Sequence, residues 1–94
     1  MMRESRVESY LREQVREKGG RCYKWVSPGN IGVPDRIAMI PGGKIGFIEC
    51  KRPTRDASKT QQIQLDLLAD LGFMAFVVEN QREVDTVIRK ILKQ

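Results

Sequence analysis

The sequence predicts an α/β fold: a mixed β-sheet flanked by helices, in the order α-β-β-β-α-β-α. Three observations predict it. Apolar residues recur at helical spacing in three segments, and four short runs between them read as strands. A Pro-Gly-Gly turn joins two of those runs into a hairpin. A helical segment separates the last two, as in a β-α-β crossover, so antiparallel and parallel pairs share one sheet with helices on both faces.

The first helix is expected over residues 3–18. Val7, Tyr10, Leu11 and Val15 keep helical spacing, and Gly19-Gly20 ends it. Residues 21–26 read as a strand, and 27–32, rich in turn formers, as a loop. Pro34 opens a strand over 35–40, Pro41-Gly42-Gly43 turns the chain, and a third strand covers 44–51. Residues 52–57 are polar and irregular. Ser58 reads as an N-cap with Gln61 completing a capping box, before a helix carrying Ile63, Leu67, Leu68 and Leu71 that Gly72 stops. Residues 73–78 read as a buried strand. Asn80 and Glu83 cap a last helix, with Val84, Val87, Ile88, Ile91 and Leu92 on its inner face.

With 94 residues the chain is expected to form one domain with a modest core. No apolar run approaches the roughly 18 residues of a membrane span, and the first residues carry no signal-peptide pattern. Cys22 and Cys50 make neither a disulfide framework nor a zinc pattern, so a reducing cytoplasm is the expected location. There is no histidine, which excludes Ser-His and Cys-His nucleophilic systems and histidine as general base. Hydrolysis would then rest on carboxylates, lysine and a metal. The net charge of +5 is spread along the chain, which favours a polyanion contacting the fold itself.

The hairpin gives two acids a meaning. If Pro41-Gly42-Gly43 is a three-residue loop with a left-handed glycine, Ile40 faces Lys44 and Asp35 faces Glu49, with Lys51 on the same face. A two-residue turn would instead pair Asp35 with Cys50. Facing carboxylates repel and need a cation, and open oxygen ligands suit Mg²⁺ or Mn²⁺. Such an ion polarises a scissile phosphate and lowers the pKa of a bound water. Lys51 can position or deprotonate that water, or balance phosphorane charge. The backbone carbonyl of Cys50 is a natural extra ligand. Taken singly, Asp35 reads as a turn residue, and Glu49 and Lys51 as a solvated strand pair. Together, on the expected hairpin, they read as a site.

Pro34-Asp35 with Glu49-Cys50-Lys51 resembles the PD-(D/E)XK nuclease signature. More closely, the chain resembles the virus-type replication-repair nuclease (VRR-NUC) domain. The resemblance rests on the glutamate-bearing first helix, Gly19-Gly20, the run from Lys24 to Gly29, and Gly32-Val33-Pro34-Asp35-Arg36. It continues through Phe47-Ile48-Glu49-Cys50-Lys51, Ser58 with Gln61, and Leu68 with Gly72. The resemblance covers nearly the whole chain. It implies a restriction-endonuclease-like core, metal binding by Asp35, Glu49 and the Cys50 carbonyl, and catalysis by Lys51. It also implies a glutamate from the first helix at the metal, either Glu4 or Glu8. Glu8 is favoured because it lies among the apolar positions of the helix body. Gln61 is implied to reach the active site and steady Lys51 or the water, beside its capping role.

The resemblance further implies a DNA endonuclease acting on branched or distorted duplexes, similar to Holliday-junction resolvases that work as homodimers. The virus-type name points to a phage or prophage protein acting in a host cytoplasm. Arg3, Arg6, Lys24, Arg36, Arg52, Arg55 and Lys59 lie near these motifs, and Lys24, Arg36, Arg52, Arg55 and Lys59 are the expected DNA contacts. Ser27 to Gly32 could approach the DNA backbone closely. Trp25 and Tyr23 are expected in the core. Other readings are a nuclease for flaps or nicks, a DNA-binding module without catalysis, and a subunit that only docks proteins.

Overall fold

A computed structural model describes residues 5–51 and 58–94 of the chain. Its elements are α1 (Arg6–Glu17), β1 (Arg21–Lys24), β2 (Arg36–Ile40), β3 (Lys44–Cys50), α2 (Lys59–Asp70), β4 (Met74–Val78) and α3 (Gln81–Leu92). This is the expected order. The four strands form one sheet in the order β1-β2-β3-β4. β1, β2 and β3 are antiparallel neighbours, and β3 and β4 are parallel across the α2 crossover.

Local chemistry sets the element ends. Ser5, Ser58 and Asn80 cap the three helices, each side chain accepting the N–H three residues on. Gly42 (φ 95°) and Gly43 (φ 72°) supply the left-handed backbone of the hairpin turn. Ile40 consequently pairs with Lys44 and Arg36 with Ile48, which makes Asp35 and Glu49 the next partners in line.

α1 and α3 cover one face of the sheet. Leu11, Val15, Ala38, Ile40, Ile48, Val78, Val84, Val87, Ile88 and Ile91 form the core there. The Tyr10 hydroxyl, 2.7 Å from Asp85 Oδ1, ties the two helices together. The opposite face carries Phe47, whose ring packs 5.2 Å from Trp25 and 5.5 Å from Phe73.

Two expectations about burial are corrected. β4 is an edge strand, and of its residues only Val78 is fully buried. Tyr23 is exposed rather than in the core, because β1 is the other edge and its side chains lie largely in solvent. α2 buries Leu65 and Leu68, and leaves Ile63, Leu67 and Leu71 as an exposed apolar stripe at i, i+4 and i+8. Among the described residues, no helix is long and apolar enough to cross a membrane.

Candidate active site

The end of the β2–β3 hairpin gathers three carboxylates from three elements. Asp35 sits one residue before β2, after the fully buried Pro34. Its main chain continues the ladder, with the Trp25 N–H donating to its carbonyl at 2.8 Å. Its side chain, outside the regular ladder, folds across the strand end and accepts the Cys50 N–H at 3.1 Å. In return the Asp35 N–H donates to Glu49 Oε1 at 3.2 Å. These reciprocal bonds lock the two acids to the same strand end.

Glu8 comes from α1. It lies on the stripe that carries Leu11 and Val15, so it is turned inward and buried. A Glu8 carboxylate oxygen, an Asp35 carboxylate oxygen and Cys50 Sγ all lie within 4.8 Å of one another. The structure thus brings Glu8 to the acids. Glu4 lies outside the described residues.

Arg36 departs from its expected role. It is 8% exposed, and its Nε donates to Glu8 Oε2 at 2.8 Å. Strand alternation places Arg36 on the core face with Ala38 and Ile40. It is therefore no surface grip for phosphates; it anchors Glu8 instead.

Gln61 does two jobs at once. Its Oε1 accepts the Ser58 N–H at 2.9 Å, closing the capping box. Its Nε2 donates to Glu49 Oε2 at 2.6 Å. The cap fixes the amide orientation, which leaves the donor end facing Glu49. The sequence-level expectation had Gln61 steadying Lys51 or the water; the described contact is to the carboxylate. Gly32 permits this approach. Its φ is +88°, and a Cβ there would lie 2.7 Å from the Thr60 carbonyl and 2.9 Å from Gln61 N. Gly32→Ala is expected to cost about 2–4 kcal/mol through left-handed strain and backbone overlap. A thermal melt measures that cost.

Lys51 follows β3, and its ammonium lies 3.3 Å from Glu79 Oε2, just beyond β4. The Lys51 N–H bonds to the Val78 carbonyl at 2.8 Å, which continues the parallel pairing and brings Lys51 and Glu79 to one place. Glu79 is a site neighbour that sequence reasoning missed. Lys24 and Lys59 are exposed, whereas Arg52 and Arg55 lie outside the described residues.

The electrostatics are those of a crowded anionic site. Burial, and then the Asp35 charge, push the Glu49 carboxyl up to about 7. Burial also raises Asp35, with Glu8 adding to the effect and the Cys50 N–H opposing it. The Cys50 thiol is pushed far up, by burial first and then by Glu8 and Asp35. Beside the Cys50 Sγ, the donors that meet here are carboxylate oxygens. Crowded, mutually repelling carboxylates fit a hard divalent cation.

Known proteins share this fold. No family model matches the chain. It is 42% identical over 81 residues to "Putative nuclease p44" of Acyrthosiphon pisum secondary endosymbiont phage 1, covering 86% of this chain and 87% of that protein. A solved "VRR_NUC domain" superposes with a TM-score of 0.82 at 29% identity, over 89% of this chain and 91% of the other. A "VRR_NUC domain protein" has the same fold, with a TM-score of 0.66 at 21% identity, over 97% and 92% of the two chains. The fold is restriction-endonuclease-like, and the chain belongs to the VRR-NUC family of nucleases.

Proposed function

We propose that this protein is a divalent-metal-dependent endodeoxyribonuclease that hydrolyses phosphodiester bonds in branched or distorted DNA. The observation that carries the reading is the convergence of Glu8, Asp35 and Glu49 at the strand end that leads into Lys51. Asp35, Glu49 and Glu8, with the Cys50 carbonyl, are the residues that would hold Mg²⁺ or Mn²⁺. When bound, the ion supplies Lewis-acid polarisation of the scissile phosphate.

The remaining work falls to the chain. Gln61 holds one Glu49 oxygen, and the Asp35 N–H holds the other, so the carboxylate is oriented before any ligand arrives. Arg36 does the same for Glu8. The Lys51 ammonium orients the attacking water and offsets charge building on the phosphate oxygens, while Glu79 keeps that ammonium in place. Lys24 and Lys59, with Arg52 and Arg55, contact DNA phosphates.

A homodimer fits the exposed Ile63, Leu67 and Leu71 stripe, which a second copy would cover; as a phage or prophage protein it would act in a host cytoplasm. A two-fold axis would then present two identical sites to two symmetry-related strands, as a four-way junction requires.

The test is cleavage of synthetic junction, flap and plain duplex DNA, with and without Mg²⁺ or Mn²⁺. The wild type should cut the junction only with metal, and Lys51→Ala should lower the rate about 10²–10⁴-fold. Preferential cutting of flaps or nicks would move the substrate to replication intermediates. Binding without cutting by the wild type would leave a DNA-binding module.

Metal affinity should depend on pH. With Glu49 raised to about 7 in the metal-free protein, its proton competes with the ion below neutrality. Mn²⁺ affinity measured by calorimetry is expected to rise between pH 6 and 8 with proton release, and Glu49→Gln should flatten that rise.

A further inference from the structure

A concave groove of about 540 Å³ lies between the C-terminal half of α1, the Gly19-Gly20 turn and β1. It lies outside the carboxylate cluster. Its cations are Arg12, Arg16, Arg21, Lys24 and Arg36, and no carboxylate is among the lining residues. Arg12, Arg16, Arg21 and Lys24 are exposed, so their charged ends reach solvent. Among the described residues, Arg16, Arg21 and Lys24 have no carboxylate within ion-pair distance.

The layout has a direction. Arg12 and Arg16 are one turn apart on α1 and share a face, spaced about 6 Å along the axis. Arg21 and Lys24 stand about 10 Å apart along β1. Strand alternation turns Arg21 and Lys24 to opposite faces of β1, and with Arg12 and Arg16 on α1 they spread positive charge along the groove, an arrangement suited to a run of phosphates rather than one small anion. Arg16, Arg21 and Lys24 are like charges with no acid at ion-pair distance among the described residues, and a polyanion relieves their repulsion. Arg36 lines the groove and holds Glu8 through its Nε, which links the groove wall to the acidic cluster.

We infer that this groove is a phosphate track for duplex DNA, in which Arg16, Arg21 and Lys24 hold the backbone that leads to the carboxylates. The inference rests on the nuclease reading above and supplies it with a substrate path. The track adds Arg16 and Arg21 to the expected DNA contacts. It reads phosphate rather than base, so it grips any sequence and acts through counterion release.

The experiment is equilibrium binding of a fluorescent duplex in Ca²⁺ across a range of KCl. Three forms of the full chain are compared with the wild type. One is Arg16→Ser/Arg21→Ser/Lys24→Ser. A second removes the same charge from α3 and its end, as Arg82→Ser/Arg89→Ser/Lys93→Ser. A third keeps the groove charge, as Arg16→Lys/Arg21→Lys/Lys24→Arg. The groove triple is expected to bind at least ~10-fold more weakly, with a log–log salt slope shallower by about 2–3. The charge-keeping triple should restore both, which excludes misfolding as the cause. Equal losses in the groove and α3 triples would overturn the inference in favour of net charge alone, and wild-type binding by the groove triple would overturn it outright. Cleavage is read separately. DNA gripped by the groove but never cut with Mg²⁺ or Mn²⁺ sinks the nuclease reading and leaves the track standing.

Discussion

Asp35→Asn should abolish cleavage, by about 10³-fold or more, and at the same time stabilise the metal-free protein above neutral pH. The loss follows from removing a carboxylate from the proposed cation site. The gain follows from linkage. Burial raises the Asp35 and Glu49 carboxyls in the folded chain, Glu49 from its ordinary 4.5 to about 7. An acid whose folded pKa is raised contributes stability that is full below its unfolded pKa and is lost as pH rises through the folded one. Metal-free protein should therefore weaken between about pH 4.5 and 7, and a divalent ion should restore it. Asparagine keeps an oxygen for the Cys50 N–H and carries no charge, so it escapes this penalty. After allowance for solvent screening at a half-buried group, a rise of roughly 2–5 °C in the metal-free melting temperature is expected. Melting curves of both proteins at low and high pH, with and without Mn²⁺, check it. An Asn variant that melts lower than the wild type under every condition would refute the repulsion argument.

Glu8→Ala should be among the most destabilising substitutions in the chain. It takes the carboxylate away from a guanidinium whose side chain is 10% exposed. Breaking a buried pair from one side costs about 3–5 kcal/mol, because the remaining charge stays out of water. For a domain of this size that is a fall of at least about 12 °C in melting temperature. The double variant Glu8→Leu/Arg36→Met should recover much of the loss, since two apolar side chains of similar volume replace the pair. It should not recover cleavage, because the acidic site still lacks its third carboxylate. Thermal melts of the two single variants and the double variant, read as a cycle, measure the coupling. A double variant no more stable than Glu8→Ala would mean that the pair is not the source of the loss.

Much of the candidate site is legible in the sequence. Pro41-Gly42-Gly43 fixes the hairpin register, and the register fixes Asp35 against Glu49. The choice of Glu8 followed from its place on the apolar stripe of α1. The role of Arg36 was misread, although a signal was present. Arg36, Ala38 and Ile40 alternate on one face, and two of the three are plain core residues. An arginine in that position points inward, so charge and nearness to the motif were poor guides to DNA contact.

Glu79 could not be found the same way. It meets Lys51 only because β4 lies parallel to β3, and the long crossover through α2 leaves that register unspecified by any local turn. The rotation of α2 was similarly hidden. Ile63, Leu67 and Leu71 make as convincing an apolar stripe as Leu65 and Leu68, and only packing against the sheet decides which is buried. The site also differs from the simple expectation of two acids and a lysine on one sheet face. Gln61 reaches Glu49 from α2 and Glu8 arrives on α1, with Asp35 turned across the strand end to the Cys50 N–H and to Glu8.

The most direct measurement is anomalous diffraction from a crystal of this protein soaked in Mn²⁺. A peak bounded by the Asp35 and Glu49 carboxylates is the anticipated outcome, and it should vanish in Asp35→Asn. A soaked crystal of cleavage-competent protein whose only ion sits away from those oxygens would contradict the claim that this strand end gathers its acids to hold a cation.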